Sequence, residues 1–159
     1  MMPMNVNTAK AMACLTHGTY IIGVHTQEKD NLMTAAWIAQ AAGRPPMISV
    51  AVGKKHYTVE LIQKARNFSV SVLTKRQKEI AKICGSQSGR TSDKLAQVPV
   101  KYTEDQLPVV MGSAAYLECV LRAEYDAGDH ILLVGEVVGG KQFSENRDEL
   151  MGYHKEDFF

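Results

Sequence analysis

The most constraining feature of this chain is a pair of β-forming runs that meet at Ala127-Gly128-Asp129-His130. Ala115 to Tyr125 alternates, with Leu117, Cys119 and Leu121 on one side and Glu118 and Arg122 on the other. Ile131 to Val138 is rich in β-branched residues. Two such runs joined by a tight Gly-containing turn pair as an antiparallel hairpin. The chain is thereby committed to a sheet, and the remaining segments are read for how they extend it.

Thr19-Tyr20-Ile21-Ile22-Gly23-Val24 reads as a strand, and Glu28 to Asn31 as a polar turn short enough to join it to the next segment. Leu32 to Ala42 is alanine-rich, and propensity alone points to a helix. It ends at Gly43-Arg44-Pro45-Pro46, after which Met47 to Val52 is a clear strand. Leu32 to Gln40 is read as a strand, mainly on the resemblance given below. Thr58 is the expected N-cap of a helix with Val59, Leu61, Ile62 and Ala65 on its apolar face. Asn67 ends that helix, and Phe68 to Leu73 alternates as a strand. Lys75 to Cys84 reads as an amphipathic helix and Gly85 to Lys94 as a Gly/Ser-rich loop. Thr8 to His17 is a short helix or an irregular lead-in, and Leu150 to Phe159 is a short aromatic tail. The expected fold is mainly β with flanking helices, closed or nearly closed into a barrel, in a single domain over residues 1–159.

Composition removes several function classes. Hydrophobic residues make up 45% and charged residues 22%, so a packed core is expected rather than disorder. A net charge of +1 provides no strong field for a nucleic-acid backbone or an anionic membrane. Met1 to Asn7 lacks the basic start and apolar run of a signal peptide, and no apolar stretch reaches membrane-spanning length. Cys14, Cys84 and Cys119 form neither a CxxC pair nor a zinc pattern. They are read as small buried apolar residues in a reducing cytoplasm, and no metal site is expected.

Two loops carry ligand-binding character. Gly53-Lys54-Lys55-His56-Tyr57-Thr58 follows a strand and opens a helix, which suits a phosphate and equally describes a solvated basic turn. Cys84-Gly85-Ser86-Gln87-Ser88-Gly89-Arg90-Thr91-Ser92-Asp93-Lys94 offers hydroxyls, cations and glycines that admit close backbone approach, or it is an ordinary connection. In a chain of near-zero net charge, the two loops together weigh more than either alone.

The segments Asn31-Leu32-Met33-Thr34-Ala35-Ala36-Trp37, Arg44-Pro45-Pro46-Met47-Ile48-Ser49-Val50, Ser86-Gln87-Ser88-Gly89-Arg90-Thr91-Ser92-Asp93-Lys94 and Gly128-Asp129-His130-Ile131-Leu132-Leu133-Val134-Gly135-Glu136-Val137-Val138 resemble the flavin-reductase-like family with its FMN-binding split barrel. The resemblance runs from about Tyr20 to the C-terminus. It implies that Thr34, Ala35, Ala36 and Trp37 lie along the flavin ring, whose edge needs backbone N–H donors and small side chains. Trp37 is equally well read as a core aromatic. The phosphate is implied at Lys54, His56, Tyr57 and Thr58, then Ser86, Ser88 and Arg90, with Lys94 as an outer member. His130 is implied on the nicotinamide side of the flavin, or it only holds its turn. His17, His25 and His154 have no partner pattern and are read as surface or core residues.

The resemblance implies FMN as cofactor, with FAD as an alternative, and NAD(P)H as hydride donor. Acceptors are free flavin, ferric ions, oxygen or a redox partner protein. A homodimer is implied, with neither nucleic acid nor membrane as partner. Two other readings stand beside the reductase: an electron carrier resembling flavoredoxins, and a non-redox ligand-binding barrel. No GxGxxG follows a strand, so no Rossmann module is expected.

Overall fold

The computed structural model describes residues 3–157; Met1, Met2, Phe158 and Phe159, the outermost residues of the lead-in and tail, lie outside the described residues. The chain runs α1 (Val6–Met12), β1 (Tyr20–Val24), β2 (Asn31–Ala35), β3 (Ile38–Gly43), β4 (Pro46–Gly53), α2 (Tyr57–Ala65), β5 (Asn67–Val72), α3 (Lys78–Ser86), β6 (Val100–Tyr102), β7 (Pro108–Val110), β8 (Ala115–Ala127) and β9 (His130–Gln142). Seven strands form one antiparallel sheet in the order β2-β1-β5-β8-β9-β4-β3, and β6 pairs with β7 in a separate hairpin.

The strand order explains the shape. β2 and β3 are the two edges of the sheet, yet only Ala36 and Trp37 separate them in the chain. Two residues span no more than roughly 10 Å. The sheet therefore curls until its edges nearly meet, and the barrel is split where the alanine-rich segment lies. That segment is thus two strands with a break, rather than one strand from Leu32 to Gln40. At the break, Ile38 N–H donates to the Ala36 carbonyl at 3.0 Å and Ala51 N–H to the Trp37 carbonyl at 3.0 Å. Alanine's helix preference loses because both halves find strand partners, β2 on β1 and β3 on β4.

The interior packs Ile22, Val24, Val50, Val52, Phe68, Val70 and Leu133 around Val59 and Ile62 of α2. A second cluster, on the outside of β1 and β2, sets Ile21 and Leu32 against Ala81 and Cys84 of α3 and against Met151 of the tail. The tail is laced to the sheet: Thr19 N–H donates to the Met151 carbonyl at 2.9 Å, Met151 N–H to Leu73 at 3.0 Å and Tyr153 N–H to His17 at 2.9 Å.

Several boundaries differ from those read in the sequence. α2 starts at Tyr57, with His56 in the N-cap position and making no side-chain cap hydrogen bond. Thr58 is instead buried in the first turn, where its hydroxyl accepts from Asn31 Nδ2 at 3.1 Å. The turn out of α2 falls on Arg66, at φ 65°, and Asn67 already belongs to β5. A 3-10 turn over Lys75–Gln77 precedes α3, which continues through Ser86, so the Gly/Ser-rich loop begins two residues later than the sequence suggests. The hairpin strands β8 and β9 are longer than expected, and two bulges interrupt their pairing. Cys84 and Cys119 are buried thiols, but Cys14 is exposed at the end of the lead-in. Among the described residues no helix is long and apolar enough to cross a membrane.

Candidate functional site

The split in the barrel opens onto a cavity of about 340 Å³. Its walls are the β2 end and the break (Met33 to Trp37), the β4 end (Ala51 to Gly53) and His130 at the start of β9. The tail closes one side through Tyr153 and Lys155. A second cavity of about 240 Å³ adjoins it, and the two share Met33, Thr34, His56 and Gly85. This second space lies between the start of α2 and the loop after α3, with Lys55, Tyr57, Thr58, Ser86, Ser88, Arg90 and Lys94 around it. A largely apolar slot thus runs into a pocket of hydroxyls and cations. No Asp or Glu among the described residues lines either one.

Each wall has a local cause. The β2 edge is held by α3, because Thr34 Oγ1 donates to the Ala81 carbonyl at 2.6 Å. Gly85 lets the end of that helix come close: a Cβ there would sit 3.3 Å from Thr34 Cβ. Lys94 is buried, and its ammonium donates to the Leu32 carbonyl at 2.8 Å and the Cys84 carbonyl at 3.1 Å. It therefore ties the loop to the strand while lining the second cavity. Burial lowers its pKa, an effect opposed by Cys84 and increased by Lys29. Burial also pushes the Cys84 thiol up to about 11, so it stays protonated at neutral pH.

Arg90 reaches across the cavity mouth. Its guanidinium pairs with Glu60 and lies 4.7 Å from the centre of the Tyr57 ring. Ser88 shapes the loop beneath it, its hydroxyl accepting from Arg90 N–H at 3.2 Å and its carbonyl from Ser92 N–H at 2.9 Å. The first turn of α2 adds backbone N–H groups, which a helix start leaves without intrahelical acceptors. At the other end of the site, His130 packs on Trp37 with ring centres 4.7 Å apart and the planes tilted by 37°, and its Nδ1–H donates to the Asp129 carboxylate at 2.6 Å. The imidazole hydrogen bond, followed by its charge, lowers the Asp129 pKa. Trp37 is half exposed, so it is not a core residue; its other side faces His17 at 6.4 Å.

Thr34, Ala35, Ala36, Trp37, His56, Tyr57, Thr58, Ser86, Ser88, Arg90, Lys94 and His130 thus converge on two continuous cavities. Lys54 does not. It points along the β8–β9 turn, paired with Asp126, while its neighbour Lys55 lines the second cavity. Lys94, expected at the periphery, is the buried cation at the centre of its group. Tyr153 and Lys155 were missed, because a short aromatic tail carries no signal of where it will lie. Gly89 has a role beyond its place in the loop motif, because a side chain there would collide with Asn31. Of the histidines left unassigned, His25 pairs with Asp30 at 2.6 Å, away from both cavities.

Residues 12–159 match the flavin reductase like domain. A curated relative, a high molecular weight rubredoxin from Moorella thermoacetica, is 37% identical over 131 residues, which is 80% of this chain. The chain spans 57% of the length of that relative. Among solved structures, an FMN-binding protein from Thermus thermophilus with bound 1-cyclohex-2-enone superposes with a TM-score of 0.82 at 29% identity, covering 90% of this chain and 84% of that one. A flavoredoxin from Methanosarcina acetivorans, at 24% identity and a TM-score of 0.78 over 99% of this chain and 83% of its own, shares the fold. Since the family match takes in the split, both cavities and the tail, the chain belongs to the flavin reductase-like family.

Proposed function

We propose that this chain binds FMN across the two cavities and takes hydride from NAD(P)H. The carrying observation is the junction of a slot lined by small residues with a pocket that holds only neutral and cationic groups. The slot suits a flat ring, because at the split the backbone of Thr34 to Trp37 is at the sheet's edges and small side chains leave it accessible. The pocket suits a phosphate: Arg90, Lys94 and Lys55 supply charge, Ser88, Thr58 and the α2 start supply hydrogen-bond donors, and Ser86, whose hydroxyl donates to the Lys82 carbonyl, shapes the wall. Bound FMN would supply the hydride-accepting chemistry. The protein's part is to hold and orient, and to shield the ring between Trp37 and the tail. His130, fixed by Asp129 and Trp37, borders the open side of the slot where a nicotinamide would approach.

Two variants separate these roles. Arg90→Ala should weaken FMN binding by about 1.5–3 kcal/mol, the scale of a hydrogen bond to a charged group. The change also frees the Glu60 carboxylate beside the pocket, which acts in the same direction. A fluorescence titration that finds unchanged affinity would reduce Arg90 to a clamp on Glu60 and Tyr57. His130→Ala should slow flavin reduction in stopped-flow experiments by on the order of tenfold or more while leaving FMN affinity within about twofold. Equal rates would leave His130 as a turn residue.

The outer face of the sheet supports a homodimer. Ala51, Leu132 and Tyr125 form one cross-strand row over β4, β9 and β8, and Ser49, Val134 and Ala123 form the next. Tyr125 is 58% exposed, and Val138 further along β9 is 52% exposed. Ala51 also lines the first cavity, so a partner on this face would lie beside the flavin. Sedimentation of the FMN-loaded protein as a stable monomer would remove the dimer.

A second reading, an electron carrier reduced by another protein, draws on the relative named a rubredoxin and on the likeness in fold to a flavoredoxin. Anaerobic spectra of the FMN-loaded protein decide between the two. Bleaching of the flavin band by NADH or NADPH at a turnover-competent rate supports the reductase. A band that neither nucleotide touches leaves the carrier.

A further inference from the structure

His56, implied at the phosphate by the family resemblance, carries a titratable ring whose charge a simple hydrogen-bond contact leaves unassigned. It lines both cavities, at the point where the apolar slot passes into the cationic pocket. Its backbone caps α2, yet its side chain makes no cap hydrogen bond. Among the described residues neither ring nitrogen has a hydrogen-bond partner. The ring lies close against Gly53, where a Cβ would come within 2.9 Å of His56 Cδ2.

The groups around it are cationic or neutral. The loop after α3 presents Lys94 and Arg90, and α3 itself presents the protonated Cys84. From β9 comes His130, and from the tail Tyr153 and Lys155. On its own element His56 is flanked by Lys55 and Tyr57. No Asp or Glu among the described residues lines either cavity, and the carboxylates of Glu60 and Asp129 are engaged with Arg90 and His130. An imidazolium at this position has no counter-charge from the protein. Partial burial, then Lys94, then His130 hold its pKa below the ordinary histidine value.

We propose that His56 couples binding of the flavin's phosphate to uptake of a proton, so that the site selects a terminal phosphate monoester over flavins without one. The inference rests on the FMN reading above. A phosphate monoester has a second pKa near 6 and arrives at pH 7.5 mostly as a dianion. It supplies the missing counter-charge and raises the pKa of His56. The imidazole takes a proton from solvent, and both ring nitrogens then become donors. Riboflavin brings no phosphate. The two phosphates of FAD are joined by an anhydride bond and carry one charge each, so they raise the pKa less.

The sign of the pH dependence follows. His56 is neutral in the free protein and charged in the complex, so FMN affinity falls as pH rises through the interval between the two pKa values. The fall is at most about tenfold per pH unit, the limit for one linked proton. The experiment is calorimetry of the flavin-free protein at pH 7.5 in two buffers of different ionisation enthalpy, with FMN, FAD and riboflavin. Net proton uptake is expected with FMN, less with FAD, and none with riboflavin. In His56→Asn, FMN should still bind, with uptake abolished and the pH profile flat. Uptake that persists in His56→Asn, or that is the same for FMN and riboflavin, overturns the proposal. Failure of FMN to bind at any pH would remove the FMN reading itself, and this inference with it.

Discussion

Lys94→Met should weaken both the fold and the flavin site. The buried ammonium satisfies the carbonyls of Leu32 and Cys84, and methionine fills the space without donating to either. A buried carbonyl left without its donor costs about 1–3 kcal/mol. Removing the desolvated charge offsets part of that. The expected net loss is about 1.5–3 kcal/mol in urea unfolding. FMN affinity should fall by roughly 10- to 150-fold as the central cation of the phosphate pocket is lost. A variant as stable as the parent would show that the two hydrogen bonds only offset the burial of the charge. Unchanged FMN affinity would assign Lys94 to the fold alone.

The largest effect on stability is expected at Phe68. Its side chain is fully buried at the centre of the barrel, on β5, opposite Cys119 of β8. Truncation to alanine removes most of a large buried ring and leaves a cavity, which costs about 3–5 kcal/mol. The ring fits because residue 135 on β9 is glycine: a Cβ there would lie 2.8 Å from Phe68 Cζ and 3.2 Å from Cys119 Cβ. Gly135→Ala alone should therefore overpack the core and cost about 1–3 kcal/mol. Combined with Phe68→Leu the cost should be smaller than the sum, with a coupling of about 0.5–3 kcal/mol for residues in direct contact. Strict additivity in chemical denaturation would mean that the neighbouring strands, rather than the ring, absorb the added methyl group.

Gly135 shows how the sequence carried fold information that periodicity did not express. In β9 it breaks a β-branched run, and a glycine in a strand usually signals close approach of another group. The approaching group is Phe68, which lies 67 positions earlier and can be identified only once the register is known. The family motifs fared similarly. Ser86 to Lys94 reads as a phosphate-type loop; Ser86 to Arg90 and Lys94 line one cavity, whereas Thr91, Ser92 and Asp93 do not. The ranking within it changed, because Lys94 folds inward to the unpaired carbonyl of an edge strand whereas Lys54 turns outward to Asp126. Charge and order in the chain were legible, but the direction of a long flexible side chain was not.

The sequence by itself determined the hairpin at Gly128, the strand-loop-helix order around His56, and the kinds of groups that surround the two cavities. These follow from local chemistry: side-chain alternation, a glycine at positive φ, and helix-start residues beside lysines. Tertiary structure alone decided that the alanine-rich segment would be two edge strands facing each other across a gap. No local preference encodes that gap. It exists because seven paired strands curl until the end of β2 and the start of β3, joined by only Ala36 and Trp37, come together without pairing to each other. The tail's place over the slot was settled in the same way, by backbone hydrogen bonds to His17, Thr19 and Leu73 that bring Tyr153 and Lys155 beside Met33 to Trp37, far away in the chain.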